Sequence, residues 1–258
     1  MNTIAIIGAG NMGAAIARGL ARNNYNIRVS NPSAPKLERL QAECPGIVTT
    51  MQNCVAVKDA SVVIIAVRPD KVRDVLAEIH ADLDDGALVV TLSPAFSLAD
   101  LGECLPDHAY GARLMPNTAI AVGSSMSFIS YGDRVPSEVR ARLTAAIELL
   151  GAVAVIPESL MGAATALCSC GLAFAMRYVR ASVEGAVQLG IAPADATRYV
   201  AATLAGAAAM LEADGLHPEA EIDRVTTPGG TTIRGLNAME AAGFSNAVIQ
   251  GLLASSHE

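Results

Sequence analysis

Thr3-Ile4-Ala5-Ile6-Ile7-Gly8-Ala9-Gly10-Asn11-Met12-Gly13 carries an aliphatic run straight into a Gly-x-Gly-x-x-Gly turn. Beyond it Ala14, Ala15, Ile16 and Leu20 recur at helical spacing, so the stretch reads as strand, tight turn and helix. Gly8 permits the turn, Gly10 leaves room for a pyrophosphate to approach the backbone, and Gly13 lets the helix close on the sheet. An isolated glycine motif is weak evidence. Placed directly between a first strand and a first helix, and followed by more strands, it is a dinucleotide fingerprint.

Outward from this start, short β-branched runs at Thr3–Ile7, Ile27–Val29, Val62–Val67, Leu88–Thr91, Tyr110–Leu114 and Val153–Val155 alternate with helical patterns. The helices fall near Met12–Asn23, Lys36–Glu43, Asp70–Ile79 and Ser137–Leu150. That alternation predicts an α/β Rossmann fold with a doubly wound, mostly parallel sheet. From Pro157 onward, Ala- and Leu-rich segments over 158–188, 193–213, 231–241 and 244–254 replace the strands. The expected division is a dinucleotide-binding domain over 1–156 and an all-α dimerisation and substrate-binding domain over 157–258. The segment 158–188 is apolar around most of its circumference, with small residues at Gly162, Ala163, Ala166, Ser169 and Ala173. It calls for cover on all sides. A second subunit is the favoured cover, and the chain's own nucleotide domain is the alternative.

Composition narrows the partners. Among 258 residues, 18 are basic and 25 acidic, a net charge of −7, which argues against nucleic acid or an anionic membrane surface. Mean hydropathy is +0.40, carried by Ala, Val, Ile and Leu. No stretch is expected to span a bilayer; the nearest, Leu160–Met176, is rich in Ala, Gly, Cys and Ser. The first residues lack the pattern of a signal peptide. Five cysteines, Cys44, Cys54, Cys104, Cys168 and Cys170, form no Cys-x-x-Cys pair. Reduced thiols in the cytoplasm are expected, with no structural zinc or other metal.

The second strand should end near Val29-Ser30-Asn31, where an NAD-preferring site often places an acid for the ribose 2′-hydroxyl. Here stand Ser30, Asn31, Ser33 and Lys36, with no carboxylate to repel a 2′-phosphate. NADPH is favoured over NADH as cofactor. The plain alternative is that these residues only make a turn.

A second anion site is written into Val225-Thr226-Thr227-Pro228-Gly229-Gly230-Thr231-Thr232. The glycines let backbone amides crowd together, and Thr231 is expected as the N-cap of a following helix. Such an N-terminus with its hydroxyls suits a small acid as substrate; an ordinary loop-to-helix turn is the alternative. The chemistry available is also limited. His80, His108, His217 and His257 sit in no catalytic setting, and the only lysines are Lys36, Lys58 and Lys71, none in the helical half. Reducing a ketone needs a proton donor for the new alkoxide. A protonated cyclic imine needs none, because hydride arrival quenches the charge on nitrogen. Hydroxyls and amides without His or Lys therefore suit imine reduction, with no catalytic side chain.

The chain resembles the pyrroline-5-carboxylate reductase family over nearly its whole length. The resemblance is carried by Gly8–Gly13, by Ala66-Val67-Arg68-Pro69, by Arg113-Leu114-Met115-Pro116-Asn117-Thr118, and by Asp223 through Leu236. The Thr-Pro-Gly-Gly-Thr-Thr signature is the most family-specific part. The resemblance implies reduction of 1-pyrroline-5-carboxylate to L-proline. It also implies a helical domain that intertwines with a partner subunit, giving a homodimer or a ring of dimers. Cofactor contacts are implied at Gly8, Gly10, Asn11, Met12, Gly13, Asn31, Asn53, Ala66, Val67, Arg68 and Pro69. The nicotinamide and substrate are implied to meet beside Met115, Pro116 and Asn117. Carboxylate contacts are implied at Thr227, Gly230, Thr231 and Thr232.

Some positions depart from the family pattern. Gly-Ser-Gly-Pro-Ala-Tyr becomes Ser169-Cys170-Gly171-Leu172-Ala173-Phe174, and Ser-Ala-Ala-Gly becomes Ser93-Pro94-Ala95-Phe96. Thr118 is followed by Ala119 rather than proline. Cys168 and Cys170 read as core residues on a small-residue helix, or alternatively as a reactive thiol pair. The rival readings of function are a related NADPH-dependent reductase acting on another imine or on a 2-oxo or 3-hydroxy acid, and a non-catalytic dinucleotide-binding sensor.

Overall fold

The computed structural model describes residues 3–215 and 217–256. By compactness the chain divides into two units, Met1–Ser169 and Cys170–Glu258. The first contains β1 (Thr3–Ile7), α1 (Asn11–Arg22), β2 (Asn26–Ser30), α2 (Ala34–Glu43), β3 (Val48–Thr50), α3 (Asn53–Val57) and β4 (Ala60–Ile65). It continues through α4 (Val72–Ile79), β5 (Leu88–Thr91), α5 (Leu98–Cys104), β6 (Tyr110–Met115), β7 (Ser125–Tyr131), α6 (Ser137–Glu148), β8 (Gly151–Val155) and α7 (Met161–Ala164).

These strands form one sheet in the order β3-β2-β1-β4-β5-β6-β7-β8. All neighbours are parallel except β6 and β7. Parallel strands need a long crossover, usually a helix. Between β6 and β7 the chain has only the short 3₁₀ turn Thr118–Val122, closed by Gly123 at φ +72°, so it doubles back antiparallel. β1 is buried along its whole length. Its alternate residues feed the two faces: Ile4 and Ile6 join Ile16, Leu20, Val62 and Ile64 on one side. Ala5 and Ile7 join Val63, Ile65, Leu76 and Ile79 on the other. Burial on both faces is why these strands read as continuous apolar runs.

Beyond β8 the chain stays on the sheet for several residues. Met161 packs with Met115 and Phe128, supported by Ile156, Ala164 and Cys168. A π-helical turn, Thr165–Cys170, follows α7.

The second unit is α8 (Gly171–Gln188), α9 (Pro193–Asp214), α10 (Pro218–Val225), α11 (Thr231–Ala241) and α12 (Phe244–Ser255). It has little interior of its own. Val183 is the buried residue of α8, and α11 and α12 have none. Met176 (62% exposed), Leu189 (84%) and Leu253 (63%) leave apolar surface open. Taken by itself, the second unit thus leaves much of the apolar surface of its helices uncovered.

The expectation that no apolar stretch is both long and uninterrupted enough to span a bilayer needs correcting. Glu158–Gln188 is one 31-residue helical run whose most apolar 18-residue stretch has a mean hydropathy of 1.6, long and apolar enough by length and composition to cross a membrane. Its Gly, Ser and Cys residues, which broke the apolar pattern on reading, do not interrupt the helix. Only 11% of its most apolar stretch is buried.

Candidate active site

The glycine turn is built by exclusion. Gly8 has φ +110°, and a Cβ there would lie 2.5 Å from the Ala66 carbonyl oxygen. At Gly13 a Cβ would lie 2.0 Å from the Gly8 carbonyl oxygen and 2.9 Å from Ala66 Cβ. Gly8, Gly13 and Ala66 are therefore drawn together, with no space for side chains on either glycine. Gly10 differs. A Cβ on it would meet nothing within 4 Å, so its bare backbone faces open space. It is the N-cap of α1 in extended conformation, with no side chain capping the helix and no acidic residue in the first turn. Unpaired N–H groups at a helix start, next to a bare glycine backbone, are what a pyrophosphate requires. Asn11 is exposed there, and Met12 is half-buried against the core.

The end of β2 braces this turn. Gly8 N–H donates to Ser30 O at 2.8 Å, and Ala9 N–H donates to Asn31 Oδ1 at 3.1 Å. Ser30 Oγ donates to Asn53 Oδ1 at 2.8 Å, while Asn53 Nδ2 donates to Glu78 Oε2 at 2.7 Å. Ser30 is fully buried, so it supports the loop and is not the phosphate-receiving hydroxyl the sequence suggested. That leaves Ser33 and Lys36. Ser33 is the N-cap of α2 and its side chain caps nothing; Lys36 is exposed one turn on. No carboxylate stands between β2 and the start of α2. The cradle at Gly10 and this open, uncapped helix start fit a dinucleotide carrying a 2′-phosphate.

Ala66-Val67-Arg68-Pro69 leads out of β4. Ala66 N–H donates to Ile7 O at 2.8 Å, and Pro69 opens a 3₁₀ turn preceded by exposed Arg68, which pairs with Asp70 at 3.4 Å. At the end of β6, Met115 is buried against Phe128 and Met161. Asn117 Nδ2 donates to Cys168 O at 3.2 Å, and Ser169 Oγ donates to Pro116 O at 3.1 Å. The Met115–Asn117 loop is thereby pinned to the π-helical turn, an element common at functional positions. Burial raises the pKa of the Cys168 thiol, which disfavours a thiolate and supports a packing role.

In the helical unit, α10 delivers the threonine turn. It escaped the sequence reading, although His217-Pro218-Glu219 is a helix start: His217 Nδ1 accepts from Glu219 N–H at 3.2 Å, and proline follows as the first helical residue. His217, exposed, is thus the N-cap of α10. Glu221 is buried and pairs with Arg224 at 2.9 Å.

The turn closes by Gly230 N–H donating to Thr227 O at 2.9 Å, with Gly229 at φ +71°. Gly230, not Thr231, is the N-cap of α11, in extended conformation and without a side-chain cap. A Cβ on Gly230 would lie 2.5 Å from Thr227 Oγ1, which is why glycine takes the position. Thr231 and Thr232 are the first helical residues, and with Thr227 they are exposed. Hydroxyls and uncapped amides converge here without a positive side chain among the turn residues.

Comparison with known proteins bears on both halves. Residues 158–258 match the family described as pyrroline-5-carboxylate reductase dimerisation, and residues 3–94 match NADP oxidoreductase, coenzyme F420-dependent. The chain is 35% identical to pyrroline-5-carboxylate reductase of Methanosarcina acetivorans, over 96% of this chain and 94% of that one. It belongs to the pyrroline-5-carboxylate reductase family. It is also 35% identical to pyrroline-5-carboxylate reductase 1 of Dictyostelium discoideum, over 99% of this chain but only about half of that longer protein, 49%. The solved pyrroline-5-carboxylate reductase of Coxiella burnetii superposes with a TM-score of 0.90 at 28% identity, covering 98% of this chain and 95% of that one. Family membership makes this chain an NADP-dependent oxidoreductase acting on a cyclic imine, with a helical half of the oligomerising type.

Proposed function

We propose that the chain reduces 1-pyrroline-5-carboxylate to L-proline with NADPH, gripping the substrate carboxylate at the head of α11. The observation that carries this is the uncapped helix start at Gly230, ringed by the exposed hydroxyls of Thr227, Thr231 and Thr232. Hydrogen bonds to a charged acceptor contribute about 1.5–3 kcal/mol each. Gly8, Gly10, Asn11, Met12 and Gly13 hold the pyrophosphate through the amides at the head of α1. Asn31 and Asn53 brace that turn, and Ser33 and Lys36 receive the 2′-phosphate. Ala66, Val67, Arg68 and Pro69 flank the dinucleotide, with Met115 and Asn117 beside the nicotinamide.

When bound, NADPH supplies the hydride. The protein's own task is to orient the imine and exclude water. The threonine turn fixes the carboxylate, and with it the face that the ring presents. No side chain moves a proton, in keeping with a helical half that has no lysine. The functional division proposed is 1–156 for the dinucleotide and 157–258 for pairing and substrate. The partner is a second copy of this chain, in a homodimer or a ring of dimers, whose contact covers the open apolar surface of α8 to α12. All five cysteines are free, which supports the cytoplasm as the compartment.

Purified protein given NADPH and pyrroline-5-carboxylate should form one proline per cofactor oxidised. Turnover only with a different imine or a keto acid would overturn the substrate assignment, and binding of NADPH with no turnover would favour a sensor.

A further inference from the structure

An ion pair between buried Arg113 and Glu158, whose side chain is 32% exposed, ties three segments together. Arg113, on β6 and only 8% exposed, donates through Nη1 to Glu158 Oε1 at 2.8 Å and through Nη2 to Pro94 O at 2.9 Å. The same carboxylate oxygen accepts the Leu98 N–H at 2.7 Å. Pro94 and Leu98 follow β5, Arg113 lies in β6 two residues before Met115, and Glu158 follows β8 and leads to Met161, which packs on Met115, so one charge pair joins all three segments. Arg113 Nε and Ser93 Oγ are buried in addition without a hydrogen-bond partner among the described residues.

This is a poor way to obtain stability alone. Desolvating the buried guanidinium and the partly buried carboxylate offsets much of their attraction, and apolar residues of similar volume often serve as well or better. Unpaired buried polar atoms add to that cost. β8 runs antiparallel to β5 and β6, but Pro94 and Leu98 lie beyond the carboxyl end of β5, at the edge where open α/β sheets bind their ligands. We propose that Arg113 and Glu158 are positioning residues, which hold Ser93–Leu98 and Met115–Asn117 in the geometry required for hydride transfer. The proposal rests on the reductase reading above. Neither residue touches substrate. They act through the loops, where a displacement of about 1 Å can cost on the order of a hundredfold in rate.

Glu158→Gln keeps an acceptor oxygen but removes the charge, and the double variant Arg113→Met/Glu158→Leu replaces the whole pair with apolar groups. Expected for Glu158→Gln is a kcat lower by roughly 5- to 20-fold and an NADPH Kd within about twofold of wild type, since the phosphates bind at the glycine turn. The isotope effect on kcat with NADPH deuterated at the transferred position should rise, because hydride transfer becomes more rate-limiting. The double variant should fold with a Tm at or above wild type and still be slow, with the same raised isotope effect. A merely structural pair would instead lower the active fraction, leaving KM and the isotope effect unchanged. That result, or a double variant with wild-type kcat, overturns the proposal.

If the wild-type protein fails to reduce the imine, the reductase reading falls, and amide exchange then decides the pair separately. Faster exchange at residues 93–98 and 115–117 in Glu158→Gln supports the positioning role, and unchanged exchange overturns it.

Discussion

The head of α1 and the head of α11 are both uncapped helix starts preceded by glycine, yet they are built on opposite plans. At α1 the turn is sunk into the sheet: Gly8 and Gly13 lie against each other and against Ala66 with no room for a Cβ, and Asn31 holds Ala9 from behind. At α11 the turn stands exposed, its glycines serve its own closure, and threonine hydroxyls surround it. The first gains its shape from the core of its own unit. The second has its shape from local turn geometry. A rigid, universal ligand part such as a pyrophosphate suits the first plan, and a small substrate acid suits the second.

The largest expected break in that comparison is Gly13→Val. The new side chain begins 2.0 Å from a backbone oxygen, where nothing flexible can yield. Overpacking of this kind costs about 1–3 kcal/mol or more, so Tm should fall and NADPH binding should be lost, both seen in a thermal shift titration with NADPH. A variant that still binds NADPH normally would contradict the packing argument. Next in size, Thr232→Ala removes one hydrogen bond to a charged carboxylate. KM for pyrroline-5-carboxylate should rise roughly 10- to 150-fold, the equivalent of about 1.5–3 kcal/mol, with Tm unchanged.

A smaller effect is expected at the 2′-phosphate. Lys36→Ala should weaken NADPH by about 2- to 5-fold, the scale of an exposed charged contact, and leave NADH untouched. Equal loss for both cofactors would place the 2′-phosphate elsewhere. The smallest concerns Cys168. Because burial raises its pKa, its thiolate is scarce at neutral pH, and alkylation by iodoacetamide should be slow at pH 7 and accelerate as pH climbs past the ordinary thiol range. Rapid labelling at pH 7 would revive the reactive-thiol reading.

Much of the first unit was legible because its signals are local: an apolar run, a glycine turn and an amphipathic helix within twenty-odd residues. β7 was missed for a physical reason. Ser125, Ser127 and Ser130 are buried in it, satisfied by Asn117 N–H, by each other and by the Ile156 carbonyl, so three of its five buried positions do not read as apolar. β3 is three residues at the sheet edge, too short to show a period. The π-helical turn and its bonds to Pro116 and Asn117 depend on contacts across some fifty residues, and the Arg113–Glu158 pair spans 45; no sequence period records such meetings. The threonine turn was visible as a composition, but its cap was misplaced by one residue, because the clash that demands glycine at 230 comes from the folded position of Thr227.

The most direct test of two separate anion sites crosses two variants with two constants. A Cβ at Gly10 meets only open space, so Gly10→Ala should fold like wild type and weaken NADPH, while Thr232→Ala should raise KM for pyrroline-5-carboxylate and leave the NADPH Kd alone. With the NADPH Kd measured by fluorescence titration and KM at saturating NADPH, each variant is expected to move its own constant and spare the other. Both constants moving together in Thr232→Ala would contradict the division of labour between the two helix heads.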